Sequence, residues 1–301
     1  MGFFDGWRKK QSPDLTTMVA DELRSRGFTP TVVSPDELTY PDAAGGTQRC
    51  YLDNLRKRLA DVPTDDWAAE VTRFVGIMTS PPDSPANLEE VWDRIYPRIL
   101  HRATFQGLPA DAEEQVATAG IRLTDDLLVL PAIDHPDQVA TELDVAKYGG
   151  WEAVWPVAIE NLRRLPQPAY RRFDADDGDP AGAVHLFESE DFFGASQLLR
   201  MDELLAAAGL SLDLSNGYLV VLPARTVVAI HPVTSATGVV SAMKPLRYIA
   251  EADLPGGITD VVHYRAPDGT LEPVSRRDGA DFTLTVTGRF EDAMRAIGAI
   301  G

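Results

Sequence analysis

One stretch, residues 183–233, restricts the folds open to this chain more than any other: AVHLFESEDFFGASQLLRMDELLAAAGLSLDLSNGYLVVLPARTVVAIHPV. It holds the longest unbroken apolar segments in the sequence. Residues 218–222 are apolar on both alternating faces, which predicts a central strand covered on both sides. Residues 183–187 are β-rich and followed by acids, as a buried strand entering a loop would be. Ser189 or Asp191 can cap the next helix, because either side chain accepts a bond from its unpaired N–H groups. Leu198, Met201, Leu205 and Ala208 then recur at helical spacing, and Gly209 supplies the stop. Asn216-Gly217 is a turn, since both residues tolerate positive φ. Beyond Pro223-Ala224-Arg225, residues 226–231 read as a second strand or as the start of a helix.

The preceding chain reads as helix at 13–27 and strands at 29–33 and 37–40 around a Ser-Pro-Asp turn. A second helix carries Tyr51, Leu52, Leu55 and Leu59, and a third spans 65–78 until a proline-rich run breaks it. Residues 87–100 read mostly as helix, interrupted near Pro97. The acidic, weakly patterned segment 105–119 suggests a domain boundary. Residues 127–133 read as a strand, where Pro131 suggests an edge or a bulge. Residues 137–165 read as largely helical, and 167–182 as loop. After the organising stretch come a helix at 239–251, a hairpin around Pro267-Asp268-Gly269, a strand at 282–286 and a helix at 290–300. Several links are too short for parallel crossovers, so the expected class is α+β, with mixed sheets packed with helices. The expected domains are a flexible aromatic and basic segment (1–12), a helix-rich α+β domain (13–104) and a second α+β domain (120–301). Asp-Asn-Leu-Arg-Lys at 53–57 and Glu-Asn-Leu-Arg-Arg at 160–164 echo one another, which raises the expectation of two pseudo-repeated helix–strand halves.

Length and charge narrow the function classes. The 301 residues carry a formal charge of −18, a field that repels phosphate backbones and disfavours nucleic acid as a partner. The single cysteine, Cys50, cannot form an internal disulfide and reads as a small buried hydrophobe. That fits a reducing, cytoplasmic setting. No apolar run is long enough to span a membrane. Phe3, Phe4 and Trp7 precede Arg8, Lys9 and Lys10, a combination suited at most to peripheral contact with an anionic membrane surface.

No constellation of reactive residues is complete. His185, Glu188, Glu190 and Asp191 form the densest ligand-like cluster, yet strand alternation sends His185 and Glu188 to opposite faces. Asp177, Asp179, Gly182 and Glu188 match four positions of a calcium loop, whose fifth position is here Ala181. Ser241-Ala242-Met243-Lys244 has the spacing of a serine nucleophile beside a lysine, without its companion motifs. No phosphate-cradling glycine loop or hydrolase elbow occurs, so neither cofactor nor metal is expected. Arg225, at a strand end, has the geometry to grip a carboxylate or phosphate, or serves a structural ion pair. Trp151 and Trp155, one helical turn apart, are core anchors or a stacking platform.

Several motifs together resemble the YtpQ-like family of uncharacterised bacterial proteins. They are Tyr51-Leu52-Asp53-Asn54-Leu55, Asp125-Asp126-Leu127-Leu128-Val129, Ala158-Ile159-Glu160-Asn161-Leu162, Gly194-Ala195-Ser196 with Leu198-Leu199, and residues 218–225 ending in Pro-Ala-Arg. The resemblance implies a fold and brings no established activity or catalytic residue. The leading expectation is therefore a non-enzymatic cytoplasmic module that binds a protein or small ligand near Arg225, Trp151 and Trp155. The alternatives are a metal-assisted hydrolase using His185, Glu188 and Asp191, and a membrane-peripheral assembly factor.

Overall fold

A computed structural model describes residues 14–41, 46–60, 62–80, 85–106, 110–136, 138–175, 180–278 and 281–300. The chain divides into two compact units between residues 82 and 83. Among the described residues the architecture is α+β, with eight α-helices and four antiparallel sheets.

In the first unit, α1 (Leu15–Ser25) begins at Asp14, whose carboxylate accepts a bond from the Thr16 N–H at 3.2 Å. Gly27, at φ +90°, ends it. Strands β1 (Thr31–Ser34), β2 (Glu37–Pro41) and β3 (Thr47–Tyr51) form a meander, followed by α2 (Asp53–Leu59) and α3 (Trp67–Thr79). Leu38, Tyr40 and Cys50 alternate onto the inner face and pack with Leu15, Leu23, Leu55 and Val75. Burial pushes the Cys50 thiol up to about 12, so it behaves as the small hydrophobe expected. Tyr51, expected on a helix, instead ends β3 opposite Glu37, with its ring exposed.

The second unit opens with a sheet that differs from the sequence reading. Residues 87–100 form a 3₁₀ turn (Leu88–Glu90) and then β4 (Ile95–His101), not a helix. After α4 (Ala110–Ala119) and β5 (Ile121–Arg122), β6 (Leu127–Asp134) pairs with β4 along its length, and β7 (Val139–Thr141) joins the other side of β6. Pro97 stands directly opposite Pro131. An antiparallel ladder alternates hydrogen-bonded with non-bonded pairs, and two prolines fit a non-bonded pair because neither needs to donate. On the far side Pro131 falls between the stretches paired with β5 and β7, so no partner strand lacks its N–H. Pro131 thus sits inside the sheet rather than at an edge. Because β4 and β6 pair across residues 105–119, that segment lies within the second unit rather than between domains.

The helix α5 (Gly150–Arg164) packs on β4. Residues 169–173, expected as loop, form the edge strand β8 (Ala169–Phe173) beside β9 (Val184–Glu188). A 3₁₀ segment (Ala195–Arg200) runs into α6 (Met201–Ala207), and β10 (Tyr218–Val221) and β11 (Val227–Pro232) follow as strands. Then come α7 (Ala236–Ala250), β12 (His263–Arg265), β13 (Leu271–Pro273), the pair β14 (Ser275–Asp278) and β15 (Asp281–Leu284), and α8 (Gly288–Ala296). The larger sheet has the order β13-β12-β10-β11-β9-β8. One face of its middle strands (Leu186, Leu219, Val221, Ala229) meets Val239, Leu246 and Phe290 of α7 and α8. The other face (Phe187, Val220, Val228, Ile230) meets Leu198, Met201 and Leu205, together with Ile99 and Val129 of the four-stranded sheet. The elements around residues 53–57 and 160–164 follow different orders, and the described residues do not show the pseudo-repeat that this echo suggested.

Three histidines are buried in the larger sheet. Burial, then the nearby Arg172 and His231, hold His185 down to about 4, and burial alone outweighs the other influences on His263, also to about 4. His231 is lowered by burial too; its Nδ1 lies 2.9 Å from the Ala183 carbonyl, and its Nε2 has no partner among the described residues. An Nδ1–H that donates to this carbonyl leaves Nε2 unprotonated. Each ring is neutral in the fold and protonates near pH 6.5 once unfolded. The contribution of His185 and His263 is therefore complete above pH 6.5 and is lost as pH falls toward 4, at up to about 1.4 kcal/mol per pH unit for each of the two, and His231 acts in the same direction. Urea unfolding should show a midpoint lower at pH 5 than at pH 7.5, and a level midpoint over that interval contradicts this account.

Candidate functional site

The Asn216-Gly217 turn positions a concave surface of the second unit. Gly217 has φ +74°, and a Cβ there would lie 2.3 Å from the Arg265 carbonyl oxygen. Only glycine lets the 214–218 turn approach the β12–β13 hairpin so closely. Tyr264 locks the approach by donating its hydroxyl to the Asn216 carbonyl at 2.8 Å. Between this turn, the hairpin, the helical segment 195–207 and α5 lies a cleft of about 650 Å³. Trp155 and Ile159 contribute an apolar wall from α5, and Leu198, Leu199 and Leu214 extend it.

Of the charges at the cleft, two arginines share Glu203, while Arg265 and Asp202 have no ion pair among the described residues. Arg163 grips Glu203 with two bonds, 2.8 and 2.7 Å, and Arg200 adds a third at 3.1 Å. These arginines hold the Glu203 carboxyl down to about 2. Arg265 also lines the cleft, but its guanidinium makes no hydrogen bond or ion pair among the described residues. Tyr218 is 6% exposed and lines the same space, and its hydroxyl likewise has no hydrogen-bond partner among the described residues. Burial pushes its phenol well up, so the hydroxyl keeps its proton and can donate. Two unmatched donors beside an apolar wall suit a ligand with an anionic head and an apolar body.

The residues singled out from sequence do not converge on this cleft as a set. Trp155 lines it. Trp151 lines a separate groove of about 570 Å³ with Leu143 and Val145, and its Nε1–H donates to the Ala119 carbonyl at 2.6 Å. The two indoles meet edge to face, 5.7 Å between centroids, and both pack against core clusters. Arg225 lies in the turn after β10, 4.0 Å over the Phe192 ring.

His185 and Glu188 fall on opposite faces of β9, as alternation requires. His185 Nδ1 lies 2.9 Å from the Tyr170 hydroxyl, Glu188 pairs with Arg171 at 3.3 Å, and Asp191 accepts from the Phe193 N–H at 2.7 Å. The hydrolase reading thus loses its convergent ligands. No group of three or more His, Cys, Asp or Glu that could hold a metal occurs among the described residues. Of the calcium-loop pattern, Asp177 and Asp179 lie outside the described residues, as do Phe3, Phe4 and Trp7. Gly182 ends a 3₁₀ turn where a Cβ would lie 2.5 Å from the Ser241 Cβ, so that serine packs against backbone. Sequence reasoning missed Tyr218 and Arg265 as site residues. The Asn-Gly turn and the Pro-Asp-Gly hairpin beside them were the available signals.

No family model, curated protein or solved structure matches the chain.

Gly217→Ala and Gly209→Ala separate crowding from backbone strain. Both glycines have positive φ, but nothing lies within 4 Å of a Cβ at Gly209. Gly209→Ala should cost about 1 kcal/mol. Gly217→Ala should cost at least about 1 kcal/mol more, because backbone must also move. Equal losses in thermal denaturation contradict the close approach.

Proposed function

We propose that the protein is a non-enzymatic binding module that holds a small carboxylate-bearing ligand with an apolar body in the cleft of Trp155, Tyr218 and Arg265. The observation that carries this reading is the pair of unmatched donors. In a chain of charge −18, Arg163 and Arg200 share Glu203, while Arg265 keeps no acid within ion-pair distance among the described residues. A guanidinium beside a hydroxyl donor recognises a carboxylate by two charge-assisted bonds. Trp155 and the leucines would shelter the apolar remainder. No described helix is long and apolar enough to cross a membrane, and a cytoplasmic site of action rests on the unpaired, buried Cys50. Kinship with the YtpQ-like family belongs to the same proposal and rests only on the sequence motifs quoted above.

Phenylacetate and its neutral analogue phenylacetamide test the reading by isothermal titration calorimetry. Phenylacetate should bind saturably and the amide at least tenfold more weakly. Arg265→Gln should abolish the preference, and Tyr218→Phe should reduce phenylacetate affinity about tenfold, the scale of one hydrogen bond to a charged group. Equal affinity for acid and amide, or no phenylacetate binding, overturns it.

A further inference from the structure

The cleft carries an unpaired negative charge as well as a positive one. Asp202 lies in the first turn of α6 and lines the same space as Tyr218 and Arg265. Its carboxylate makes no hydrogen bond or ion pair among the described residues. The other acid of the cleft, Glu203, is already engaged by Arg163 and Arg200 at 2.7 and 3.1 Å. A cationic group entering the cleft therefore finds Asp202 available and Glu203 shared. An exposed carboxylate alone says little about a ligand. What gives Asp202 a role is the pair of donors that share its cleft.

Backbone register sets those donors side by side. Tyr218 of β10 pairs directly with Arg265 of β12, so the two side chains leave the sheet on one face as neighbours. Met201, the residue before Asp202, packs in the same core cluster as Tyr218. The hairpin tip places Arg265 further, since a Cβ on Gly269 would lie 3.3 Å from its Nη2. Asp268, the acid closest to Arg265 in sequence, is bonded to Arg289 at 2.8 Å and acts on Arg265 only at longer range. Burial dominates the raised phenol of Tyr218, with smaller opposing influences from Arg265 and Asp202. Both charges thus lie within electrostatic reach of one hydroxyl. Opposite charges that line one cleft without pairing leave room for a single molecule that carries both.

We propose that the ligand of this cleft is a zwitterion, an α-amino acid with an apolar or aromatic side chain. The inference rests on the carboxylate reading above and adds the second charge to it. The ligand carboxylate meets the Arg265 fork and the Tyr218 hydroxyl, its ammonium meets Asp202, and its side chain lies against Trp155 and the leucines. The field of the chain favours the same class. A simple carboxylate enters a protein of charge −18 against net repulsion, whereas a zwitterion carries no net charge into that field.

L-Phenylalanine and 3-phenylpropanoate differ only by the ammonium group, and calorimetric titration of the full chain with each at neutral pH reads its contribution. Salt at about 0.15 M screens the general field beyond about 8 Å and leaves the local contact. L-Phenylalanine should bind about three- to fivefold more tightly, the scale of an exposed ion pair. Asp202→Asn should erase that preference, and Asp202→Lys should reverse it. Asp202 is exposed, so neither change disturbs the core. Arg265→Gln should weaken both compounds. If 3-phenylpropanoate binds through Arg265 but L-phenylalanine binds no more tightly, the zwitterion is overturned and the carboxylate reading stands. A preference that persists in both Asp202 variants has the same meaning. If neither compound binds, or Arg265→Gln binds both unchanged, the carboxylate reading falls and this inference falls with it.

Discussion

Leu219, Val220, Val221, Val228, Ala229 and Ile230 have no measurable solvent exposure, although successive residues along a strand point to opposite faces. A pair of strands buried on both sides needs a layer above and a layer below, and the second unit supplies both. Helices α7 and α8 cover one face. The 195–207 segment and the four-stranded sheet cover the other. Each buried leucine or valine side chain contributes about 1.5–3 kcal/mol of transfer free energy, so this double burial dominates the stability of the unit. It also leaves polar groups few places to stand. Apart from the buried His185, His231 and His263, polar groups stand at strand ends, where the 214–218 turn builds the cleft and the 223–226 turn carries Arg225.

The same double burial made the centre of the fold legible. Residues 218–222 admit hardly any reading but a central strand, and Asn216-Gly217 and Pro267-Asp268-Gly269 mark turns by their backbone requirements. Legibility failed where two strands explain each other. Pro97 alone argues for an interrupted helix and Pro131 alone for an edge; only their facing positions in one ladder show that both are harmless inside a sheet. β8 was hidden for a different reason. Its Tyr170, Arg171 and Arg172 leave no apolar alternation, because an edge strand exposes its side chains to solvent.

The candidate sites show a sharper limit. Trp155 was recognisable as a large aromatic on an amphipathic helix, and Arg225 as a cation at a strand end. What makes Arg265 interesting is the acid that it lacks, and spacing along a chain cannot reveal which carboxylates are already engaged. Glu203 lies forty residues from Arg163 and satisfies it. Asp268, three residues from Arg265, pairs instead with Arg289 at 2.8 Å. The net charge of −18 gave no reason to expect an arginine without a direct ion pair, and the fold leaves Arg265 with only the longer-range influence of Asp268.

Native-state hydrogen exchange tests most directly whether the doubly buried strands anchor the second unit. The amides of Leu219–Val221 and Val228–Ile230 should be the slowest to exchange, opening only with the free energy of global unfolding measured in urea. The amides of Ile99 and Leu130 in the four-stranded sheet should exchange no more slowly. If those outlast the β10 and β11 amides, or if β10 and β11 exchange through local openings, the unit is anchored elsewhere and the account is wrong.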